Sequence, residues 1–284
     1  MAGARVLEGR PIAERIRNDV ANRAAALREA AIVPHLSIFV GEGDTEGAYY
    51  GESLRKVGTR LGVDVSIDTI SASEGTHGLA AAIQGAAKSH KVHGIIVQRP
   101  LPRGFDLFEI NYRVPPAKDV DAASPISLGL LAEGTPHFTP ATAAAVVEML
   151  REPGLPPLVG ARAVVIGRSA VVGRPVAYML TSADATVTLC HSRTRDLEMI
   201  CRSAEILVAA VGKPRFVNAG MIKRGSVVVD VGTNLIEGKV VGDVDAASVS
   251  QVAGVITPVP GGVGVVTTSI LLRNVVAAAE HGTI

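Results

Sequence analysis

A chain of 284 residues can build two domains, each with a core that needs neither disulfides nor metals as staples. Its 28 Lys and Arg against 27 Asp and Glu leave a net charge of +1 with no basic block, which argues against nucleic acid as a partner. The two cysteines, Cys190 and Cys201, are too few for a disulfide framework or a metal quartet, and both lie in apolar patterns, as buried thiols in a reducing compartment do.

The N-terminal stretch is studded with Arg and Glu and holds no secretory h-region. Pro11 to Ala30 reads as an amphipathic helix, with Ile12, Ile16, Val20 and Leu27 on one face. Leu36 to Val40 is a strand, Thr45 to Leu61 a helix, Val63 to Ile70 a strand, His77 to His90 a helix and Gly94 to Val97 a buried strand. This alternation predicts a parallel sheet with helices on its faces. Gln98 ends the third strand, where open α/β sheets bind ligands, although a Gln can equally serve there as a plain strand cap. Asp106 to Tyr112 follows as a short helix, Pro115 to Asp121 as a loop and Thr139 to Leu150 as a helix. Arg151 to Gly160 reads as a linker, and a second domain begins near that helix.

Ala161 to Leu180, ARAVVIGRSAVVGRPVAYML, combines a short β-branched strand, a glycine turn and a helix start. Such a unit presents backbone N–H groups to an anion, most often a nucleotide phosphate. The glycine pattern meets the dinucleotide fingerprint in part: Gly167, then Ser169 where a second glycine is usual, then Gly173. A βα turn that needs a glycine only for geometry remains the alternative. Thr186 to Cys190 is a second strand, followed by His191, Ser192 and Arg193 where an NAD enzyme carries a carboxylate. The missing carboxylate and the cations Arg168 and Arg193 favour a 2′-phosphate and hence NADP; for Arg193, solvated surface charge is the competing reading. His191 reads as structural.

Beyond this lie a helix (Asp196 to Cys201), a strand (Ile206 to Val211), the turn GKP, a strand (Val227 to Val231) and the loops Val241 to Asp245 and Thr257 to Gly264. A last helix, Val265 to Glu280, leaves the second domain to pack on the first. Ala246 to Leu272 is uncharged, but Pro258, Pro260 and the glycines after them break it as a membrane span, so the chain is expected to be soluble and cytoplasmic.

VVIGRSAVVGRP, HSRT, AVGKP, DVGTN, GDVD and TPVPGGVG occur in this order from Val164 to Gly264, and with them the chain resembles the methylenetetrahydrofolate dehydrogenase/cyclohydrolase family over nearly its whole length. The resemblance implies an α/β fold of two domains flanking a cleft, the C-terminal one a Rossmann-type NADP-binding domain, usually in a homodimer. It places an N-terminal domain at 1–140, joined by the helix at 265–284, and the NADP-binding domain at 141–264. It implies a cofactor site at Gly167, Arg168, Ser169, Gly173, Ser192 and Thr233. It implies a tetrahydrofolate derivative as substrate, bound and processed by Tyr50, Gln98 and Asp121, with Pro260 and Gly261 also on the substrate, and it brings neither a metal nor a membrane partner.

The family has a catalytic Lys four residues after the Tyr, and here that position is Leu54. Lys56, six after Tyr50, projects elsewhere on the helix. Arg99, Ala122, His137, Phe138, Thr142, Val265 and Val266 also depart from the family's motifs, so the folate loops have drifted while the nucleotide loops are nearly intact. Hydride transfer needs mainly position, whereas hydrolysis of a methenyl cation needs a proton shuttle that leucine cannot supply. The expectation is a one-carbon dehydrogenase with impaired cyclohydrolase activity. Two other readings stand beside it: a non-catalytic NADP-binding regulatory paralogue, and a dehydrogenase for a different small anionic substrate that meets Arg99 and His137.

Overall fold

The computed structural model describes residues 3–282. In chain order the elements are β1 (Arg5–Val6), α1 (Arg10–Glu29), β2 (His35–Gly41), α2 (Thr45–Leu61), β3 (Asp64–Ile70), α3 (Gly75–Lys88) and β4 (Gly94–Val97). There follow α4 (Leu107–Arg113), α5 (Pro125–Ala132), α6 (Ala141–Leu150), β5 (Arg162–Ile166), α7 (Gly173–Ser182), β6 (Thr186–Cys190) and α8 (Leu197–Arg202). The chain ends with β7 (Ile206–Ala209), β8 (Val227–Asp230), β9 (Asn234–Ile236), β10 (Lys239–Val241), α9 (Ala246–Val249), β11 (Val255–Ile256) and α10 (Val263–His281).

They fall into two compact units. Arg15–Thr139, with the residues from Thr268 on, carries a three-stranded parallel sheet of order β3-β2-β4. Its central strand β2 is buried on both faces from Leu36 to Gly41, as expected of a parallel strand covered by helices. Phe39, Leu79, Ile83, Ile95, Ile110 and Val114 pack together as one core of this unit. Short polar side chains set its helix starts. Asp44 accepts from Gly47 N at 2.9 Å ahead of α2, Asp106 caps α4 at Phe108 N and Glu109 N, and Ser124 caps α5 at Ser127 N.

The other unit holds Pro140–Thr267 with the residues up to Glu14. Its six-stranded sheet is parallel throughout and runs β1-β11-β8-β7-β5-β6. The strand order reverses between β5 and β7, so the chain leaves β5 to opposite sides of it and opens a crevice at their C-terminal ends. Val164, Ile166, Leu207, Val228, Cys190 and Cys201 share its core, and both cysteines are free.

The division differs from 1–140 and 141–264 at the N-terminus. β1 pairs with β11, Arg5 N donating to Gly254 O at 2.9 Å and Leu7 N to Ile256 O at 2.8 Å, which ties the first residues to the six-stranded unit. α10 begins at Val263, inside the stretch read as the loop Thr257 to Gly264, and by length and composition it could cross a membrane, although 61% of that apolar window is buried within the protein. Leu7, only 5% exposed, fastens the β1 edge. Leu7→Ala is expected to cost about 2–4 kcal/mol in urea unfolding, the range for emptying a buried leucine site.

Candidate active site

The turn after β5 is built for close backbone approach. Gly167 has φ +121, and a Cβ on it would lie 2.0 Å from the Ala210 carbonyl oxygen. At Gly173 a Cβ would lie 1.9 Å from the Gly167 carbonyl oxygen, so α7 begins pressed onto the turn itself. Ser169 does the work of a cap: its Oγ accepts from Val172 N at 3.1 Å and Gly173 N at 3.2 Å, and its carbonyl accepts from Arg174 N. The first amides of α7 are therefore taken. Among the described residues the N–H groups of residues 168–171 have no protein partner, and these exposed residues are the amides available to an anion. The sequence pointed to the helix terminus; the structure shifts the donors one step back into the turn.

β5 and β6 run in register, Ile166 opposite Cys190, so Arg168 and the pair Ser192 and Arg193 emerge on adjacent loops, all exposed. His191 is occupied structurally, its Nδ1 accepting from Arg193 N at 3.2 Å. Thr233 is exposed in the loop after β8. Cys190 and Cys201 have thiols pushed up by burial, that of Cys201 to about 12, and are inert packing groups.

Sequence reading missed the groups that hold these loops. Asp230, at the end of β8, is 3% exposed; its Oδ1 accepts from Gly232 N and Asp243 N and its Oδ2 from Val244 N, at 2.9 to 3.0 Å. Asp243 is fully buried and accepts from Val211 N, Gly212 N, Lys213 N and Asn234 Nδ2. The signal was present in DVGTN and GDVD, where a carboxylate sits within an otherwise apolar or glycine-rich run. Burial raises the Asp230 carboxyl to about 6 against its three amide donors, with Asp243 adding to the rise.

In the three-stranded unit, Tyr50 lies on α2, Gln98 just past β4 and Asp121 in the loop before α5. Gln98 N extends the ladder to Phe39 O at 2.8 Å. Tyr50 is partly buried, and burial, then the Asp121 charge, raises its phenol above the ordinary range, so the hydroxyl is neutral. The structure thus brings Tyr50 within the field of Asp121. Leu54, one helical turn beyond Tyr50, is completely buried, whereas Lys56 is exposed and Arg55 pairs with Glu52 at 2.7 Å. Arg99 donates to Asn111 Oδ1 at 2.8 Å, and His137 is exposed. Ala122 adopts φ +46, a conformation that costs a non-glycine residue about 1–2 kcal/mol. Pro260 and Gly261 belong to the six-stranded unit.

A glycine cradle at the switch point of a parallel sheet, joined in one chain to a second α/β unit with a Tyr, Gln and Asp set, defines a two-domain dinucleotide-binding α/β protein. Residues 140–283 match the NAD(P)-binding domain of tetrahydrofolate dehydrogenase/cyclohydrolase and residues 7–121 match its catalytic domain. The chain is 46% identical over 275 residues to the bifunctional protein FolD of Parafrankia sp. (strain EAN1pec), covering 97% of this chain and 99% of that one. Among solved structures, the bifunctional enzyme FolD of Campylobacter jejuni superposes with TM-score 0.94 at 35% identity, over 97% of this chain and 98% of that one. FolD of Trypanosoma brucei, solved with NADP cofactor and inhibitor, gives 0.93 at 34% identity over 100% and 99%. The chain belongs to the tetrahydrofolate dehydrogenase/cyclohydrolase family.

Two outcomes follow from this geometry. Gly173→Ala is expected to abolish measurable NADPH binding in a fluorescence titration, because the methyl cannot coexist with the Gly167 carbonyl; Gly212→Ala, with open space at the Cβ but φ +64, is expected to cost only about 1–2 kcal/mol of stability. Asp230 holds its proton to about pH 6 in the folded state, against an ordinary value of 3.8. Between those values the native state binds more protons than the unfolded chain, so this group's contribution to unfolding free energy falls as pH rises, by up to about 3 kcal/mol. Urea midpoints from pH 4 to 7 should show wild type losing stability relative to Asp230→Asn as pH rises.

Proposed function

We propose that this protein oxidises methylenetetrahydrofolate to methenyltetrahydrofolate with NADP, in one-carbon metabolism, and that its cyclohydrolase step is impaired. The dehydrogenase half is supported by family membership along the whole chain and by the glycine cradle, whose close contacts leave room for backbone approach and whose turn amides are open to a phosphate. NADP over NAD is supported by Arg168, Ser192 and Arg193 on adjacent loops, with no carboxylate at the end of β6. NADP, when bound, supplies the hydride acceptor.

Oxidation removes a hydride from the methylene carbon and leaves a cation shared between two nitrogens. No proton moves in that step, so no side chain has to act as a base. Tyr50 supplies a neutral phenol and an aromatic face for the pteridine-like ring, Asp121 accepts hydrogen bonds from its amino groups, and Gln98 adds an amide beside them.

Hydrolysis of the methenyl cation is different, because water must lose a proton as it adds. The observation that carries the impairment is Leu54: it occupies the position one turn after Tyr50, is fully buried, and has no titratable neighbour on its helix that can replace it, since Lys56 is exposed and Arg55 is paired. The loss of a general acid/base typically removes ~10²–10⁴-fold in rate. The two free buried thiols support a reducing cytoplasmic compartment, and the resemblance supports a homodimer.

A time course with NADP and methylenetetrahydrofolate, followed spectroscopically at the methenyl product, tests the reading. Methenyl product is expected to accumulate with wild type and to be cleared at least about a hundredfold faster by Leu54→Lys. A wild type that binds NADPH but yields no product would refute the folate assignment, and clearance as fast as in Leu54→Lys would refute the impairment.

A further inference from the structure

Asp243 takes no part in the chemistry above, and its surroundings assign it a different task. At the C-terminal end of β7 the chain turns through Gly212 in the left-handed region (φ +64). The N–H groups of Val211, Gly212 and Lys213 converge on one carboxylate: Asp243 Oδ2 accepts the first two at 2.6 and 2.9 Å, and Oδ1 accepts the third at 2.9 Å. Successive amides wrapped in this way form a nest for an anion, and here the anion is the protein's own. The AVGKP loop is therefore a closed nest, and its amides are not available to a phosphate.

The nest is physically continuous with the cradle. Ala210, the residue before Val211, donates its N–H to Ile166 O at 2.8 Å, and Gly167 lies so close to the Ala210 carbonyl that no Cβ fits between them. β5 and β7 are neighbours, Ile166 opposite Ala209, so this contact lies at the switch point of the sheet. The other end of the chain of contacts is equally fixed. Asp230 holds the backbone at Asp243 and Val244, and Asn234 Nδ2 reaches Asp243 Oδ1 at 2.9 Å from the loop that carries Thr233.

We propose that Asp243 is a positioning residue for the dinucleotide: its carboxylate, by filling the nest, fixes Ala210 against Gly167 and so holds the cradle and the Thr233 loop in the spacing that NADP requires. The proposal rests on the NADP reading above. Without the carboxylate the nest amides turn toward water, Ala210 is released, and the cradle loses its wall on the β7 side.

Asp243→Asn keeps the shape but offers one acceptor atom in place of two, so nest amides lose partners. NADPH affinity, read by fluorescence titration, is expected to weaken about tenfold or more, as for a lost hydrogen bond to a charged group. KM for NADP should rise with it while KM for methylenetetrahydrofolate is unchanged. A role limited to overall stability would instead lower apparent kcat with the folded fraction and leave both KM values in place, which would overturn the proposal. Asn234→Ala removes the donor to Asp243 Oδ1 and to Val241 O, freeing the Thr233 loop from the carboxylate while the nest amides stay bound, so it tests that arm of the proposal if Asp243→Asn does not fold; a several-fold weaker NADPH affinity is expected. A folded variant that binds NADPH as tightly as wild type overturns this proposal alone. A wild type that binds no NADPH overturns the nucleotide reading, and this proposal with it.

Discussion

Two carboxylates buried side by side, Asp230 and Asp243, are the constraint on which the nucleotide half of this protein depends. Burying a carboxylate is costly unless its oxygens are fully hydrogen-bonded, and here backbone amides supply nearly all the donors. That solution dictates the surrounding sequence. A Cβ at Gly232 would lie 2.3 Å from Asp243 Cγ, and one at Gly242 would lie 1.8 Å from Asp230 Oδ2. DVGTN and GDVD are thus two halves of one device, in which each glycine makes room for the other motif's carboxylate. Val217 then bridges to Val244 and its N–H bonds to Asp243 O at 2.9 Å, so the loops after β7, β8 and β10 are tied to one another. Carboxylates and amides thus fix the glycine-rich turns, while Val217 and Val244 anchor the same loops in the core of the sheet.

The two units also differ in the material of their candidate sites. In the six-stranded unit the geometry is carried by main-chain atoms: turn amides, the Gly167 and Ala210 carbonyls, and the nest. Besides the glycines and the two aspartates, the side chains that hold these loops are few: Ser169, which accepts from Val172 N and Gly173 N, and Asn234, which donates to Asp243. In the three-stranded unit the proposed site consists of side chains, Tyr50, Gln98 and Asp121, so under that proposal a single replacement at position 54 bears directly on the chemistry.

The regular βα alternation was legible because parallel strands such as the buried Val164 to Ile166 and the edge strand Thr186 to Cys190 announce themselves by β-branched runs. What escaped was short or assembled at a distance. β1 is two exposed residues, Arg5 and Val6, without any apolar pattern; only pairing with β11, far along the chain, makes them a strand. α5 opens on Ser124 and Pro125 and is apolar nearly all round, so it has no amphipathic signature. The β9–β10 hairpin turns at Glu237 and Gly238, both with positive φ, a tight turn whose EG pair is less diagnostic than NG or DG. Asp230 and Asp243 were visible as letters in quoted motifs, but their mutual role depends on three loops meeting at the end of a sheet, which no local spacing encodes.

Leu54 shows how stability and chemistry compete at one helix position. On α2 it lies between Gly51, which rests near the Ile67 side chain, and Gly58, which rests near the Val63 carbonyl and the Val65 and Leu272 side chains. The two glycines let the helix lie close to β3, and a fully buried leucine between them adds about 1.5–3 kcal/mol of apolar burial. A lysine at the same place would give up that burial and pay desolvation of its ammonium, which lowers its pKa toward neutrality. A lowered pKa is also the condition under which an amine exchanges protons with water efficiently. The feature that would make lysine a competent shuttle at this position is therefore the same desolvation that makes leucine the more stable occupant.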